Sequence, residues 1–324
     1  MEGEGGNGEL GMGNGEYSPS ISKAPFPHLP PTIPHPPFPI PCKLNLYLDI
    51  LRRRDDGFHE LRTLFLQADL CDGLRVEVAG ERAPGDPVFS EFIVEGPFSA
   101  GVPGDSRNLA WRAAEEVAAL AGRAVPALRA RLLKRVPNGA GLGGGSANAA
   151  AMLRAASAAW GLGLSDGALL AVASKLGSDC AFFLRGGAAE ATGRGEVLEP
   201  IATRRIPLLI VVPHFSVGTR EAYGRLTPAM LGERSDAAAA RRWIARAGEP
   251  VPRLANSFEA ALEGLHPELG RTRGELTRLG AVVARLSGSG SASFGLFASE
   301  ADRDAAAERL DTAAYRLIHR GWAG

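Results

Sequence analysis

Residues 137–150 read Pro137-Asn138-Gly139-Ala140-Gly141-Leu142-Gly143-Gly144-Gly145-Ser146-Ala147-Asn148-Ala149-Ala150. Five of the seven residues 139–145 are glycines, which permit backbone conformations with positive φ and leave N–H groups uncovered. The alanine-rich segment Ser146–Trp160 that follows is predicted to be a helix ending at Gly161. Exposed amides at a helix N-terminus form an anion site together with the positive end of the helix dipole. The stretch therefore predicts a phosphate-binding loop.

This glycine-rich loop differs from three other nucleotide-binding motifs. It has no Gly-Lys-[Ser/Thr] of a Walker A motif, and it lacks the acidic residue at the end of the next strand that marks a Rossmann fingerprint. The His-Arg-Asp and Asp-Phe-Gly motifs of protein kinases are also missing from the sequence. A flexible loop before a helix is the alternative, but the strand predicted at Ala127–Lys134 and the long helix after the loop favour phosphate binding.

Composition indicates a globular chain with few classes of partner. A length of 324 residues corresponds to two domains of roughly 150 residues. The net charge of zero gives no electrostatic case for a nucleic acid or an acidic membrane as partner. We expect no membrane helix, because no apolar run approaches roughly 20 residues, and no secretory signal, because the start is acidic and glycine-rich. The three cysteines have no zinc or disulfide spacing, which predicts unpaired thiols in a reducing cytoplasm.

The residue pattern divides the chain into three parts. Residues 1–41 are rich in glycine and proline and are predicted to be a disordered or polyproline-like extension. Residues 42–200 and 201–324 each alternate between predicted strands and helices, with a boundary near residues 198–206. The chain is therefore predicted to have an α+β fold with two globular domains.

Several elements of the first domain are predicted individually. Alternating apolar residues predict a strand at Lys43–Ile50 and two separate strands at Phe58–Leu70 and Leu74–Val78. The segment Asn108–Ala121 is predicted to be a helix with Ser106 as its N-cap. These assignments surround the glycine-rich loop with strands and helices.

Two later segments are typical of strand pairs. Residues Gly186–Leu198 are predicted to form a hairpin around Gly193. In the second domain, strands at Val282–Leu286 and Ser293–Phe297 are predicted to flank a second glycine-rich loop.

Three segments resemble, in order and spacing, the sequence motifs of the GHMP kinase superfamily: Lys43-Leu44-Asn45-Leu46, Pro137–Ala150, and Leu286-Ser287-Gly288-Ser289-Gly290-Ser291-Ala292. Other segments narrow the resemblance to one of its families, the 4-diphosphocytidyl-2-C-methyl-D-erythritol kinases: Gly57-Phe58-His59-Glu60-Leu61, Thr63-Leu64-Phe65, Gly177–Phe183 and Gly193-Arg194-Gly195-Glu196. The similarity covers roughly residues 41–320, and the co-occurrence of several motifs in one order is far more specific than any single motif.

The resemblance implies a fold and a reaction. It implies a ribosomal protein S5 domain 2-like N-terminal domain with the nucleotide site, a ferredoxin-like C-terminal domain, and an active site in the cleft between them. It also implies transfer of the γ-phosphate of ATP to the 2-hydroxyl of the methylerythritol moiety in the non-mevalonate isoprenoid route. Mg²⁺ would neutralise the phosphate charge. The implied partners are ATP and the cytidine diphosphate substrate, bound by a monomer or homodimer.

Asp179 and Lys43 are the predicted catalytic pair. In phosphoryl transfer the attacking hydroxyl must be oriented and must lose a proton, which the Asp179 carboxylate could accept. A turn aspartate is the alternative for a Gly-Ser-Asp sequence alone, but the apolar run Cys180–Leu184 and the resemblance favour catalysis. Lys43 would stabilise developing charge at the γ-phosphate. A snorkelling strand lysine is an equal alternative on the residue alone, and the resemblance favours the catalytic role.

An aromatic platform is predicted for the cytosine ring. Phe58 and Tyr223 could stack on its two faces, and His59 could bind its polar edge. Phe58 stands where the family often has tyrosine, which keeps the stacking face and loses a hydroxyl. Core packing is the alternative for Tyr223, and a surface histidine is the alternative for His59.

Four further residues are expected at the acceptor substrate. Asn45 lies two positions after Lys43 and faces the same side of the strand. Thr219 lies one helical turn before Tyr223. The resemblance places Gly288 and Gly290 in a loop that approaches the substrate or the phosphates closely.

The resemblance also predicts the ATP contacts: Pro137, Asn138, Gly139, Ala140, Gly141, Leu142, Gly143, Gly144, Gly145, Ser146 and Ala147, with Asn108 and Lys134. For Asn108 and Lys134 the alternatives, a polar residue that starts a helix and a charge at a strand edge, stay open. Ser146 is also the one expected protein ligand of Mg²⁺. Ala147 replaces a serine common in the family, which removes one hydroxyl from the site.

Two other functions remain open on these residues. Another GHMP kinase, acting on a sugar, homoserine or mevalonate, would share the three superfamily motifs, although Gly57–Leu61 argues against it. A catalytically silent nucleotide-binding protein would share the glycine-rich loop, although the presence of Lys43 and Asp179 argues against that.

Overall fold

The computed structural model describes residues 38–324. The predicted extension, apart from its last residues, lies outside this range. In the first half the elements are β1 (Phe38–Arg53), β2 (His59–Gly80), β3 (Phe89–Glu95), α1 (Leu109–Leu120), β4 (Ala127–Leu133), α2 (Gly144–Ala159), α3 (Asp166–Leu176), α4 (Cys180–Arg185), β5 (Ala188–Thr192) and β6 (Val197–Ile201). In the second half they are β7 (Ile206–Pro213), α5 (Thr219–Gly224), α6 (Ala237–Ala245), α7 (Ser257–Leu262), α8 (Pro267–Arg278), β8 (Val283–Leu286), β9 (Ser293–Leu296), α9 (Glu300–Glu308) and β10 (Tyr315–Ala323), with short 3-10 turns at Pro228–Met230 and Thr312–Ala314.

All ten of these strands form one sheet, which confirms the predicted α+β class. The strand order is β3-β4-β2-β10-β7-β9-β8, with β1 and β5 also paired to β2 and β6 paired to β5. The strands β10-β7-β9-β8 are antiparallel, and helices connect β7 to β8 and β9 to β10. This order and connectivity are those of a ferredoxin-like domain, as predicted for the C-terminal half.

The strand β2 differs from the prediction, because it is one continuous strand of 22 residues. Its first part pairs with β1 and β5, and its second part pairs with β4 from Gly73 onwards. The sequence predicted a break between two strands at Cys71–Gly73. In the structure the pairing with β1 and the pairing with β4 overlap there, and this keeps the chain extended. A change of partner within one strand has no signature in the local sequence.

The strand β1 begins earlier than expected, because Phe38–Pro41 belong to it and not to the extension. Proline donates no ladder hydrogen bond and is tolerated in edge strands. Pro39 and Pro41 meet this condition, because β1 pairs with β2 alone. Ile40 between them is buried in the core, which gives the segment an apolar contact.

Two helix starts also differ from the prediction. The N-cap of α1 is Asn108 and not Ser106, because the Asn108 side-chain oxygen accepts a hydrogen bond of 2.9 Å from the N–H of Ala110. Helix α2 begins at Gly144, two residues before Ser146. The hairpin β5–β6 around Gly193 is as predicted.

The two halves share one apolar core. A single cluster of buried side chains takes residues from β1 and β2 in the first half and from β7, β9 and α6 in the second. The C-terminal strand β10 also pairs with β2, at Ala323 and Ala68. The halves are therefore joined by both a sheet and a core, which makes large independent movements of the two unfavourable.

A buried carboxylate adds a polar link between the halves. Glu190 of β5 is only 4% exposed and accepts hydrogen bonds of 2.6 Å from Tyr47 and 2.6 Å from Arg62. Arg241 of α6 donates to its second oxygen at 2.8 Å. Between residues 38 and 324 no helix is long and apolar enough to cross a membrane.

The shared core predicts that both halves unfold together. Leu208 of β7 is fully buried in the cluster, so we expect Leu208→Ala to lower the free energy of unfolding by about 2–5 kcal/mol through lost contacts and a cavity. Circular dichroism and tryptophan fluorescence should report one coincident denaturant transition, shifted as a whole. The exposed Val197→Ala is the control, with a change within about 0.5 kcal/mol. Two separated transitions would contradict a common core.

Candidate active site

One cavity of about 370 Å³ lies where both glycine-rich loops, β1 and the start of α4 meet. This volume is within the range of small-molecule sites. Residues of the second half complete its wall, among them Thr219 and Tyr223 of α5. The cavity is therefore built by both halves, across the sheet that joins them.

The first glycine-rich loop is held from two sides by its carbonyl groups. The three consecutive carbonyl oxygens of residues 140–142 accept hydrogen bonds from the N–H of Ala292, the Oγ of Ser287 and the N–H of Lys43, at 3.1, 2.9 and 3.0 Å. Ala292 and Ser287 belong to the second glycine-rich loop, residues 287–292. With these carbonyls bound to neighbouring segments, the loop has a fixed path along the cavity wall.

Close contact between the two loops explains a glycine in each. A methyl group added at Gly141 would lie 2.0 Å from the carbonyl oxygen of Ser287, and its φ of 76° is in the left-handed region. A methyl group at Gly288 would lie 3.3 Å from the ammonium group of Lys43. Larger residues at these two positions would separate the loops or displace Lys43.

The N-terminus of α2 is open to the cavity. The first N–H groups of a helix have no partner within the helix. The N-cap residue Gly143, at a φ of 70°, has no side chain that could accept them. Gly143, Gly144, Gly145 and Ser146 all line the cavity. The geometry is that of an anion site formed by main-chain amides and a helix dipole.

Lys43 and Asp179 face each other beside this helix N-terminus. The ammonium group of Lys43 lies 3.7 Å from Oδ2 of Asp179 and donates a hydrogen bond of 2.6 Å to Asn45. Burial lowers the pKa of Lys43 from its usual value, and the negative charge of Asp179 opposes this shift. Asp179 occupies the N-cap position of α4 but its side chain makes no capping hydrogen bond, so its carboxylate is available to the cavity.

Lys134 is held by a buried polar network that the sequence did not indicate. Its ammonium group pairs with Oδ2 of Asp72, which is fully buried, and donates a hydrogen bond of 3.0 Å to Asn148. The other oxygen of Asp72 accepts the N–H groups of Arg135 and Val136 at 2.7 and 2.8 Å. Lys134 is thus a buried cation at the cavity wall and not a charge at a strand edge.

The Asp72 carboxylate therefore links the two ends of the glycine-rich loop. Its contacts with residues 135–136 hold the chain where it enters the loop. A hydrogen bond of 2.8 Å from the side-chain amide of Asn148 holds helix α2, where the chain leaves the loop. Asp72 is 62 residues before Lys134 in the chain, so no local pattern could reveal this contact.

The aromatic residues are arranged differently from the predicted cytosine platform. The ring of Tyr223 lies 4.9 Å from that of His59 and 4.9 Å from that of Phe258, so part of its surface packs in the core. Phe58 is 54% exposed and carries the guanidinium group of Arg194 over its ring at 4.9 Å. Burial raises the pKa of Tyr223 to about 12, with a further contribution from the charge of Asp179. Burial also lowers the pKa of His59, as does Arg53 nearby.

Most of the predicted site residues line this one cavity: Lys43, Asn45, Lys134, Pro137, Asn138, Gly139, Ala140, Gly141, Leu142, Gly143, Gly144, Gly145, Ser146, Asp179, Thr219, Tyr223 and Gly288. Five others lie outside its lining. Asn108 uses its amide to cap α1 and to donate to the carbonyl of Pro103 at 2.7 Å. Ala147 is buried in the core below the sheet, and Gly290 packs against Leu286.

Phe58 and His59 are not part of the lining, although they contact Arg194 and Tyr223, which are. Conversely, the cavity contains Arg194, Ser178 and Ser289, to which the sequence assigned no role. Arg194 and Ser178 stand inside the family motifs given above, so motif membership was the signal that could have found them. Ser289 shares a hydrogen bond of 3.3 Å with Thr219.

Comparison with known proteins agrees with this architecture. Residues 108–187 match the model of the GHMP kinases N terminal domain, and residues 231–317 match the GHMP kinases C terminal model. The L. major mevalonate kinase in complex with R-mevalonate has the same fold, with a TM-score of 0.61 at 16% identity over 88% of this chain and 95% of that chain. The fold and the site define a kinase of the GHMP superfamily, for which ATP is the co-substrate.

Proteins of higher sequence identity identify the family within this superfamily. A 4-diphosphocytidyl-2-C-methyl-D-erythritol kinase from Thermus thermophilus is 39% identical over 88% of this chain and 94% of its own length. One from Geotalea daltonii is 36% identical over 83% and 92%. A crystal structure of 4-(cytidine 5'-diphospho)-2C-methyl-D-erythritol kinase superposes with a TM-score of 0.75 at 38% identity, over 89% of this chain and 98% of that chain. The chain belongs to the family of 4-diphosphocytidyl-2-C-methyl-D-erythritol kinases.

The Asp72 network predicts a specific loss of ATP affinity. In Asp72→Asn the amide nitrogen must face either Lys134 or the main-chain N–H groups, which leaves a buried donor unsatisfied and releases one end of the loop. We expect the dissociation constant for ATP, measured by calorimetry, to rise about 10-fold.

Asp49→Asn is the matched control for this variant. Asp49 is also buried, at 1% exposure, and also accepts two main-chain N–H groups, those of Arg234 and Ser235, but it lies outside the cavity lining. Both variants should have a lower melting temperature than the wild type, and only Asp72→Asn should bind ATP more weakly. Equal ATP affinity in the two variants would show that Asp72 serves stability alone.

Proposed function

We propose that this protein transfers the γ-phosphate of ATP to the 2-hydroxyl of 4-diphosphocytidyl-2-C-methyl-D-erythritol, giving the 2-phosphate and ADP in the non-mevalonate isoprenoid pathway. One observation carries the chemistry: Lys43 and Asp179 lie 3.7 Å apart in the cavity into which the N-terminus of α2 opens. Family membership supports the choice of acceptor, because the similar proteins over most of the chain are kinases of that compound.

ATP would bind with its phosphates on the first glycine-rich loop. The carbonyls of residues 140–142 are bound to neighbouring segments, and the main-chain N–H groups at the start of α2 have no cap. Anionic oxygens are favoured at such a position by the N–H groups and by the helix dipole. Lys134, held at the wall by Asp72, adds positive charge beside Gly144, whose added methyl group would be 3.2 Å from its ammonium group.

Mg²⁺ fits this site as an ion held mainly by phosphates and water. Within residues 38–324 there is no cluster of three His, Cys, Asp or Glu side chains that could hold a metal. Mg²⁺ commonly keeps several waters and takes only one or two protein ligands beside substrate phosphates. Ser146, in the first turn of α2, presents the hydroxyl that would serve. The ion would neutralise charge on the β- and γ-phosphates.

Asp179 would accept the proton of the attacking hydroxyl. The hydroxyl oxygen forms a bond to the γ-phosphorus, the bond from that phosphorus to the β,γ-bridging oxygen breaks, and ADP leaves with the electron pair. The proton passes to the carboxylate of Asp179. Lys43 stabilises negative charge on the transferring group, and its hydrogen bond to Asn45 directs its ammonium group into the cavity.

Two finer features belong to the same proposal. All three cysteines, Cys42, Cys71 and Cys180, are free thiols, which supports a reducing compartment such as the cytoplasm. Thr219, Tyr223 and Gly288 come from the second half and line the same cavity as Asp179, which supports a role for them at the acceptor.

A coupled ADP-release assay with a panel of acceptors tests the function. With Mg²⁺ and ATP, we expect turnover with 4-diphosphocytidyl-2-C-methyl-D-erythritol and none above background with mevalonate or homoserine. Turnover with mevalonate or homoserine instead would assign the protein to another GHMP activity. ATP binding without turnover of any acceptor would favour the catalytically silent protein.

The role of Asp179 is tested by Asp179→Asn. We expect turnover to fall at least about 100-fold because the variant has no general base, while the dissociation constant for ATP stays within about twofold. Asp166→Asn is the control, since Asp166 also lies at a helix start but outside the cavity. If Asp179→Asn kept near-normal turnover, Asp179 would not be the base.

A further inference from the structure

Four charged side chains line the cavity, and one of them has no assigned task. Among the described residues of the lining, the charges are those of Lys43, Lys134, Asp179 and Arg194. Lys43 lies beside Asp179, and Lys134 is bound to the buried Asp72. Arg194 lies on the hairpin tip between β5 and β6, in the motif Gly193-Arg194-Gly195-Glu196.

The tip of the hairpin is rigidly attached to the cavity wall. The carbonyl of Gly193 accepts a hydrogen bond of 2.8 Å from the N–H of Leu61, which also lines the cavity. The carboxylate of Glu196 accepts the main-chain N–H of Arg194 at 2.6 Å. The bond to Leu61 joins the tip to the cavity wall and the bond to Glu196 holds the turn itself, so the main chain at Arg194 has a defined path.

The guanidinium group of Arg194 is oriented but has unused donors. It lies 4.9 Å from the ring centroid of Phe58, in a cation–π contact. Its Nε is 3.7 Å from Oε1 of Glu196, too far for a hydrogen bond, and between residues 38 and 324 the side chain donates no hydrogen bond. Asp56, which is exposed, is another carboxylate close enough to feel its charge. A planar fork of free N–H donors is suited to phosphate oxygens.

The hairpin tip that carries Arg194 also lies near the segment that contains the proposed base. A methyl group added at Gly195 would be 3.8 Å from Cβ of Ser178, the residue before Asp179, and 4.0 Å from the ring of Phe65. The tip thus contacts Phe58, Leu61 and Ser178, whereas the glycine-rich loop lies against Lys43 and Lys134. With ATP on the glycine-rich loop, as proposed above, this part of the cavity wall is left for the acceptor.

We propose that Arg194 binds the diphosphate of the acceptor substrate, and so selects acceptors that carry a diphosphate near the reacting hydroxyl. The inference rests on the proposed function. In 4-diphosphocytidyl-2-C-methyl-D-erythritol the diphosphate is attached two carbons away from the carbon that bears the 2-hydroxyl. When that hydroxyl is at Asp179, the diphosphate must lie close to it. Among the described lining residues, Arg194 is the cation that is paired with neither Asp72 nor Asp179, and its side chain donates no hydrogen bond to Glu196, which lies 3.7 Å away. Phe58, which packs against the same guanidinium group, would then contact the cytidine, which is attached to the other end of the diphosphate.

Steady-state kinetics of Arg194→Gln test this assignment. We expect the KM for the acceptor to rise about 10-fold because charge-assisted hydrogen bonds are lost, while the KM for ATP stays within about twofold. CDP and cytidine should both inhibit in competition with the acceptor. The inhibition constant of CDP should rise about 10-fold, and that of cytidine, which has no phosphate, by less than about twofold. In Arg194→Lys, which keeps the positive charge but not the planar fork of donors, the KM for the acceptor should lie between those of the wild type and Arg194→Gln.

Arg52→Gln is the matched control. Arg52 also lies 3.7 Å from a glutamate, Glu60, but it is not part of the cavity lining, so all four constants should stay at wild-type values. An unchanged acceptor KM in Arg194→Gln would overturn the proposal while leaving the proposed function intact. Equally weakened inhibition by CDP and by cytidine would also overturn it, because Arg194 would then act on the cytosine ring through Phe58. A wild-type protein that does not phosphorylate the acceptor would remove both proposals together.

Discussion

The structure of the first glycine-rich loop depends on the buried carboxylate of Asp72. Its two oxygens bind the main chain at residues 135–136, the ammonium group of Lys134 and the amide of Asn148. A glycine-rich loop has high conformational entropy, which must be offset if its N–H groups are to form a preformed site. Asp72 fixes the distance between the ends of the loop, and the hydrogen bonds to its carbonyls fix the path between them.

The wall of the cavity depends on the union of the two halves. The sheet runs without interruption from β3 to β8 through the β2–β10 pair, and the core below it is shared. Asp179 and Arg194 come from the first half, while Thr219 and Tyr223 come from the second. A cavity made in this way has a fixed shape, because neither half can move without breaking sheet hydrogen bonds and core contacts. Selectivity for one acceptor can therefore arise from the wall itself.

The distribution of charge along the cavity explains how two anionic substrates can bind in one space. Lys134 lies beside the start of α2, Arg194 packs on Phe58, and Lys43 lies beside Asp179. In the proposed function each anion has its own positive partner, and the pair Lys43–Asp179 is left for the reaction. The burial that lowers the pKa of Lys43 reflects the low polarity around its ammonium group, where an electrostatic interaction is stronger than in water.

Local motifs were enough to predict the fold class, the position of both glycine-rich loops and the catalytic candidates Lys43 and Asp179, because the residue types and spacing within each motif carry that information. They did not reveal Asp72, the unbroken strand β2, or the early start of β1 at Phe38, since each depends on partners distant in the chain. The packing of Tyr223 against His59, with Phe58 exposed under Arg194, became visible only once the chain was folded. Side-chain contacts of this kind depend on how strands and helices meet, which no local pattern specifies.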